Sequence, residues 1–153
     1  YWSMAGWRIG WLVLPEDLVR PVECLAQKLF ISAPHVAQVA AEAAMDCTPE
    51  LEANRARDRA SRALLLATLP KAGFDRLSPA DGAFHLRADV GALTNDSPEF
   101  CARMLAEAGI AATPGVDFDR NRGRRFLRFS YCGPAEDMAA APGRLGRWLG
   151  HQG

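Results

Sequence analysis

The opening stretch, Tyr1-Trp2-Ser3-Met4-Ala5-Gly6-Trp7-Arg8-Ile9-Gly10 running into Trp11-Leu12-Val13-Leu14-Pro15, constrains the fold more than any other. From Ile9 to Leu14 it is apolar apart from one glycine. Strands covered on both faces read as unbroken apolar runs, so the pattern predicts a buried strand. Gly6 and Gly10 bracket Arg8, and glycine lets a backbone turn or approach another group without a Cβ clash. An arginine at the mouth of a buried strand calls for a fixed anion, because its planar fork suits phosphate or carboxylate. The competing reading is an arginine that snorkels to solvent from a strand end. Spacing alone does not choose between them.

Tyr1 to Gly10 also resembles the stretch that follows the Schiff-base lysine in class I and II aminotransferases of fold type I, the aspartate aminotransferase superfamily. The family pattern is Ser-x-x-Lys or Ser-Lys, a few residues, then Gly-x-Arg-x-Gly, and its arginine holds the phosphate of pyridoxal 5'-phosphate (PLP). Arg8 occupies that arginine's place if the lysine is the residue immediately before Tyr1. The resemblance implies a chain that is the C-terminal part of a longer enzyme, with no catalytic residue of its own.

Composition bounds the alternatives. Eighteen basic residues balance eighteen acidic ones, giving zero formal net charge, so nothing global favours nucleic acid or an anionic membrane. No apolar run approaches the roughly 20 residues that span a bilayer. Cys24, Cys47, Cys101 and Cys132 form no Cys-x-x-Cys pair, which argues against structural zinc and for buried, reduced thiols in a cytoplasmic protein. Lys28 and Lys71 are the only lysines.

Pro15-Glu16-Asp17 reads as a helix start, with Pro21 either kinking that helix or opening another. A second, alanine-rich helix is expected over Pro34 to Met45, presenting His35, Gln38 and Glu42 on one side. A long helix from Pro49 to about Ala72 is charged in its first half and apolar in its second. That gradient suits a helix leaving one domain for another, and the boundary is placed at Cys47 to Thr48. A βαβ-like alternation follows: a strand over Gly82 to Val90 with Phe84, Leu86 and Ala88 on one face, and a helix capped by Asp96 and closed by Gly109. Short strands at Ile110 to Thr113 and Phe126 to Tyr131 come next, then a last helix opened by Pro134.

Within Phe126-Leu127-Arg128-Phe129-Ser130-Tyr131, period two puts Leu127, Phe129 and Tyr131 on one face and Phe126, Arg128 and Ser130 on the other. An arginine on an otherwise buried strand is costly unless an anion answers it. An internal Asp or Glu is the structural alternative to a ligand. Arg120-Asn121-Arg122-Gly123-Arg124-Arg125 is read as a solvated loop rather than a nucleic-acid patch, since no aromatic is interleaved. His35 and His85 lack metal-like partners at short spacing, and Phe84 is read as a core aromatic before a cleft-lining one.

The resemblance extends to these positions. Arg128-Phe129-Ser130 looks like the family's small-domain strand, whose arginine makes a bidentate pair with the substrate α-carboxylate. Ala112-Thr113-Pro114-Gly115, Phe118 and Gly123 resemble its lead-in, with Asp119 where the family has glycine. The segment Ile31-Ser32-Ala33-Pro34 resembles the family's loop near the dimer interface. The implied architecture is α/β, PLP-dependent transferase fold type I: residues 1–47 as the end of the large domain and 48–153 as the α+β small domain. The implied function is transfer of an amino group between an amino acid and a 2-oxo acid in a homodimer, with Arg8 binding the cofactor and Arg128 the substrate. A β-lyase of the same fold, or the ligand-sensing domain of a DNA-binding regulator, is the alternative.

Overall fold

The computed structural model describes residues 1–150, so positions 151–153 of the expected second domain lie outside the described residues. The chain divides into two compact units, Tyr1–Arg55 and Ala56–Gly153.

The first unit is helical. A 3-10 turn over Ala5–Trp7 is followed by extended chain and then by α1 (Glu16–Leu29) and α2 (His35–Ala44). Glu16 and Asp17 sit in the first turn of α1, where carboxylates complement the helix dipole, and the helix runs on through Pro21. The predicted buried strand at Ile9–Leu14 does not form: Trp11, Leu12 and Val13 are 55, 73 and 92% exposed. A strand exists only by pairing, and residues 1–55 contain no second strand to pair with. Among the described residues of this unit, only Ala37 and Leu51 are buried apolar side chains.

The long helix α3 (Thr48–Thr68) belongs to both units, and a 3-10 turn over Pro70–Ala72 extends it towards Gly73. The division at Arg55 therefore falls inside the helix, seven residues beyond Thr48. The helix backbone continues unbroken across that division.

The second unit holds a three-stranded antiparallel sheet with β3 (Phe126–Ser130) between β1 (His85–Asp89) and β2 (Thr113–Pro114). Both outer strands run antiparallel to β3, so β1 and β2 are parallel to each other and separated by it. The expected βαβ alternation is thus a split one, in which a later strand is inserted between the two that the helix connects. That helix is α4 (Ser97–Arg103), capped by Asp96, whose Oδ1 accepts from the Glu99 N–H at 3.2 Å. It continues as a π-helical turn over Met104–Ala108 and stops at Gly109, whose φ of +64° suits glycine.

Leu86 and Ala88 of β1 and Leu127 and Phe129 of β3 face a core completed by Leu65, Leu69, Phe74, Met104, Leu145 and Trp148, the last two from α5 (Ala135–Gly150). Rings pack edge-on inside it, Phe74 against Phe129 at 5.4 Å and Phe100 against Trp148 at 4.9 Å. The expectation of buried thiols holds only for Cys101, because Cys24, Cys47 and Cys132 are exposed, and all four are free. Among the described residues no helix is long and apolar enough to cross a membrane, and no cluster of His, Cys, Asp or Glu is placed to hold a metal ion.

Candidate active site

Arg8 follows the Ala5–Trp7 turn instead of opening a strand. Its backbone is left-handed (φ 57°, ψ 38°), a conformation that costs a residue with a Cβ about 1–2 kcal/mol. Strain of this kind persists only where surroundings enforce it, and it gathers at binding sites. The side chain is exposed, and one N–H donates to the carbonyl of Ala5 at 3.2 Å. Among the described residues no carboxylate pairs with it, and no atom lies within 4 Å of where a Cβ on Gly6 or Gly10 would stand. The turn is held from the side: the Tyr1 hydroxyl donates to Glu52 at 2.9 Å, and the Asn54 amide donates to Ser3 at 3.4 Å. A guanidinium with free donors, flanked by open glycine backbone, fits a phosphate such as that of PLP. Lys28 lies in the last turn of α1 and Lys71 in the 3-10 turn after α3, both exposed.

Arg128 lies on β3, on the sheet face away from the core, as period two predicts, with Leu127, Phe129 and Tyr131 buried on the other side. It is half-buried, and among the described residues no acid is within ion-pair distance. This removes the internal-acid alternative among those residues. Instead its guanidinium lies 4.2 Å from the Phe118 ring centre, and one N–H points to the Thr113 hydroxyl at 3.5 Å. Stacking fixes the plane of the guanidinium while leaving its edge donors open.

The loop that carries Phe118 is built by two contacts. Gly115 and Gly123 cross so closely that a Cβ on either would overlap the other's backbone, which only glycine permits. Asp119 then closes the turn. Its carboxylate accepts from the N–H groups of Asn121 and Arg122, both at 3.0 Å, and these bonds hold its pKa below the usual carboxylate value. The position that departs from the family's glycine is therefore the loop's organising side chain.

Three arginines of the cluster that follows, Arg122, Arg124 and Arg125, are paired with acids. Arg122 meets Asp119 at 3.3 Å, Arg124 meets Asp96 at 3.1 Å and Arg125 grips Asp89 through two bonds of 2.6 and 3.1 Å. Arginines committed to acids in this way are poorly disposed to collect phosphates.

Along β1, Arg87 is not singled out by spacing, and the sequence does not place His85 or Phe84 in the site. Arg87 is the direct cross-strand partner of Arg128, with its guanidinium 3.7 Å above the Phe126 ring. His85, which has no metal-like partner at short spacing, shares this face opposite Ser130, and its buried Nδ1 has no hydrogen-bond partner among the described residues. Burial, then the charge of Arg128, pushes its pKa below 6.5. Phe84 is 42% exposed instead of in the core. Ala83 takes a left-handed φ of 57°, so regular pairing begins only at His85, and the Phe84 ring turns onto His85 at 4.0 Å. Period two would have placed His85 and Arg87 together; their partner across the sheet needed the register.

Residues 1–145 match the model of the family "Aminotransferase class I and II". The chain is 45% identical over 99% of its length to the valine–pyruvate aminotransferase of Mycobacterium tuberculosis, and 31% identical over 97% to the aspartate/prephenate aminotransferase of Thermus thermophilus. A crystal structure of an aminotransferase from Mycobacterium tuberculosis superposes with a TM-score of 0.88 at 45% identity, covering 98% of this chain. The chain spans 40, 38 and 39% of these three proteins respectively.

Proposed function

The chain belongs to the class I and II aminotransferases, a PLP-dependent family of fold type I, and we propose that it forms the C-terminal part of an enzyme that moves an amino group between an amino acid and a 2-oxo acid. Residues 1–47 would close the large domain and 48–153 form the small one, in a cytoplasmic homodimer whose interface includes Ile31–His35. Exposed Phe30, Ile31 and Val36 around that loop support the last point.

Arg8 would hold the cofactor phosphate with side-chain donors that no acid among the described residues occupies. PLP, when bound, supplies the electron sink that lets the α-proton leave the substrate. Arg128 would orient that substrate by its α-carboxylate. Phe118 covers one side of the guanidinium and Thr113 accepts an N–H at its edge. The observation that carries this reading is a half-buried strand arginine set over an aromatic ring, with no acid partner among the described residues.

The test is to incubate the full-length PLP-loaded protein with single amino acids and follow 2-oxo acid release. Stoichiometric release in a first half-reaction, with amino-group return from an added 2-oxo acid, is expected. Elimination products such as ammonia with pyruvate would favour a lyase instead, and saturable amino acid binding without turnover would favour a sensing domain.

A further inference from the structure

His85 carries ring nitrogens that the fold leaves without partners. It stands opposite Ser130 in the β1–β3 register, and Arg128 lies two residues before Ser130 on the same face of the sheet. Such diagonal neighbours are about 7–8 Å apart, within reach of long side chains. Among the described residues no hydrogen bond joins His85 to Arg128, and the Ser130 hydroxyl is turned to the Cys132 sulfur at 3.2 Å.

The imidazole is nevertheless held in place. The Phe84 ring packs against it with centroids 4.0 Å apart. Phe84 is pinned in turn, because its carbonyl accepts from the Tyr131 N–H at 2.9 Å and the Ala83 carbonyl accepts from the Tyr131 hydroxyl at 2.8 Å. These bonds enforce the left-handed backbone of Ala83, φ 57°, a strain that persists only where its surroundings impose it. Beneath, Leu86 and Leu127 are fully buried.

The two ring nitrogens differ in access. Nδ1 is buried without a partner, whereas Nε2 has no partner among the described residues but is not shut off from solvent. A buried N–H without an acceptor is scarcer in folded chains than a bare acceptor, so the neutral ring carries its proton on Nε2. The charged neighbours on this face are the guanidiniums of Arg87 and Arg128, and no described acid forms an ion pair with the ring. Burial first, then the charge of Arg128, keeps the ring neutral near pH 7. Arg128 gives one N–H to Thr113, on the β2 side of β3, while His85 lies on the β1 side. A carboxylate taking the remaining Arg128 donors keeps lone pairs for a further donor.

Given the carboxylate-anchor reading of Arg128 above, on which this rests, we propose that His85 is a further ligand-contacting residue, its Nε2–H donating to the carboxylate that Arg128 holds.

Propionate is the probe, titrated calorimetrically at pH 7.5 into the full-length PLP-loaded protein. His85→Leu removes both nitrogens and should weaken propionate by about ten- to a hundredfold, the effect of one hydrogen bond to a charged group. His85→Gln, whose amide nitrogen falls near the position of Nε2, should recover much of that affinity. His85→Asn, whose amide nitrogen falls near Nδ1, should not. Melting temperature and PLP affinity, measured on each preparation, should stay near wild type in His85→Gln and His85→Asn alike, so the contrast between them reads the position of the donor and not the fold. Arg128→Lys should weaken propionate in every background. Wild-type affinity in His85→Leu, or a His85→Gln variant no better than His85→Asn, overturns the inference and leaves the anchor reading intact. No effect of Arg128→Lys overturns the anchor reading and the inference with it.

Discussion

Replacing Arg128 separates a ligand anchor from a structural arginine. In the described structure the side chain gains one cation–π contact with Phe118 at 4.2 Å and one hydrogen bond to Thr113 at 3.5 Å. A half-buried cation–π contact contributes about 1 kcal/mol, and a hydrogen bond at the limit of its distance range adds little. Arg128→Lys should therefore cost the fold about 1 kcal/mol, or roughly 4–8 °C in melting temperature for a unit of this size. The ligand loses far more. Lysine keeps the charge but not the fork, and breaking a buried charged pair costs about 2–5 kcal/mol. At about 1.36 kcal/mol per decade, the lower end is already about thirtyfold.

The assay compares kcat/KM of the full-length enzyme for amino acids and for amines lacking a carboxylate. Amino acids should lose at least about thirtyfold in Arg128→Lys and more in Arg128→Leu, which removes charge as well. Amines should lose little, and cofactor affinity should stay the same. Equal losses for both substrate types, with a large fall in melting temperature, would refute the reasoning and mark Arg128 as structural.

Thr113→Asp places an acid opposite Arg128 in the β2–β3 register, so it should supply the missing internal partner; carboxylate affinity should fall while the melting temperature holds or rises, both measurable on one preparation. Gly123→Ala forces a Cβ into the Gly115 backbone and should cost about 1–3 kcal/mol, whereas Gly10→Ala enters open space and should leave thermal unfolding unchanged. His85 titrates below 6.5 in the folded chain, so the unfolded chain takes up its proton first as pH falls. Stability present above about pH 6.5 should therefore decline below it, and His85→Phe should flatten melting temperature between pH 7.5 and 5.5. A wild-type slope that survives in His85→Phe would locate the titration elsewhere.

The helices and the inner face of β3 were legible because their signals are local. Glu16 and Asp17 at a first turn, Asp96 as a cap and Leu127-x-Phe129-x-Tyr131 each state their geometry within a few residues. Tertiary partners were not legible. Ile9–Leu14 has the composition of a buried strand, but a run of apolar side chains cannot supply the neighbouring backbone a strand requires. Phe84 matched the period of Leu86 and Ala88, yet the left-handed Ala83 places it before the pleat begins. Asp119 looked like a departure from a glycine, and its role as acceptor for two backbone N–H groups emerged only from the folded turn. Arg87 was invisible as a partner of Arg128 because register is a property of two strands and their turns.

What distinguishes the arginines of this chain is the kind of neighbour the fold provides. Arg103, Arg122, Arg124 and Arg125 each find a carboxylate within 3.3 Å, so their charge is neutralised inside the fold. Arg8, Arg87 and Arg128 are oriented by other means: a left-handed backbone with a bond to Ala5 for the first, and aromatic rings for the other two. An acid both orients and neutralises an arginine, whereas a ring or a strained turn orients it and leaves its charge available. Holding a guanidinium rigid without neutralising it costs stability through backbone strain and like-charge repulsion. An external anion recovers that stability only when it binds, and so Arg8 and Arg128, which are oriented but have no acid partner among the described residues, are the ones assigned to ligands.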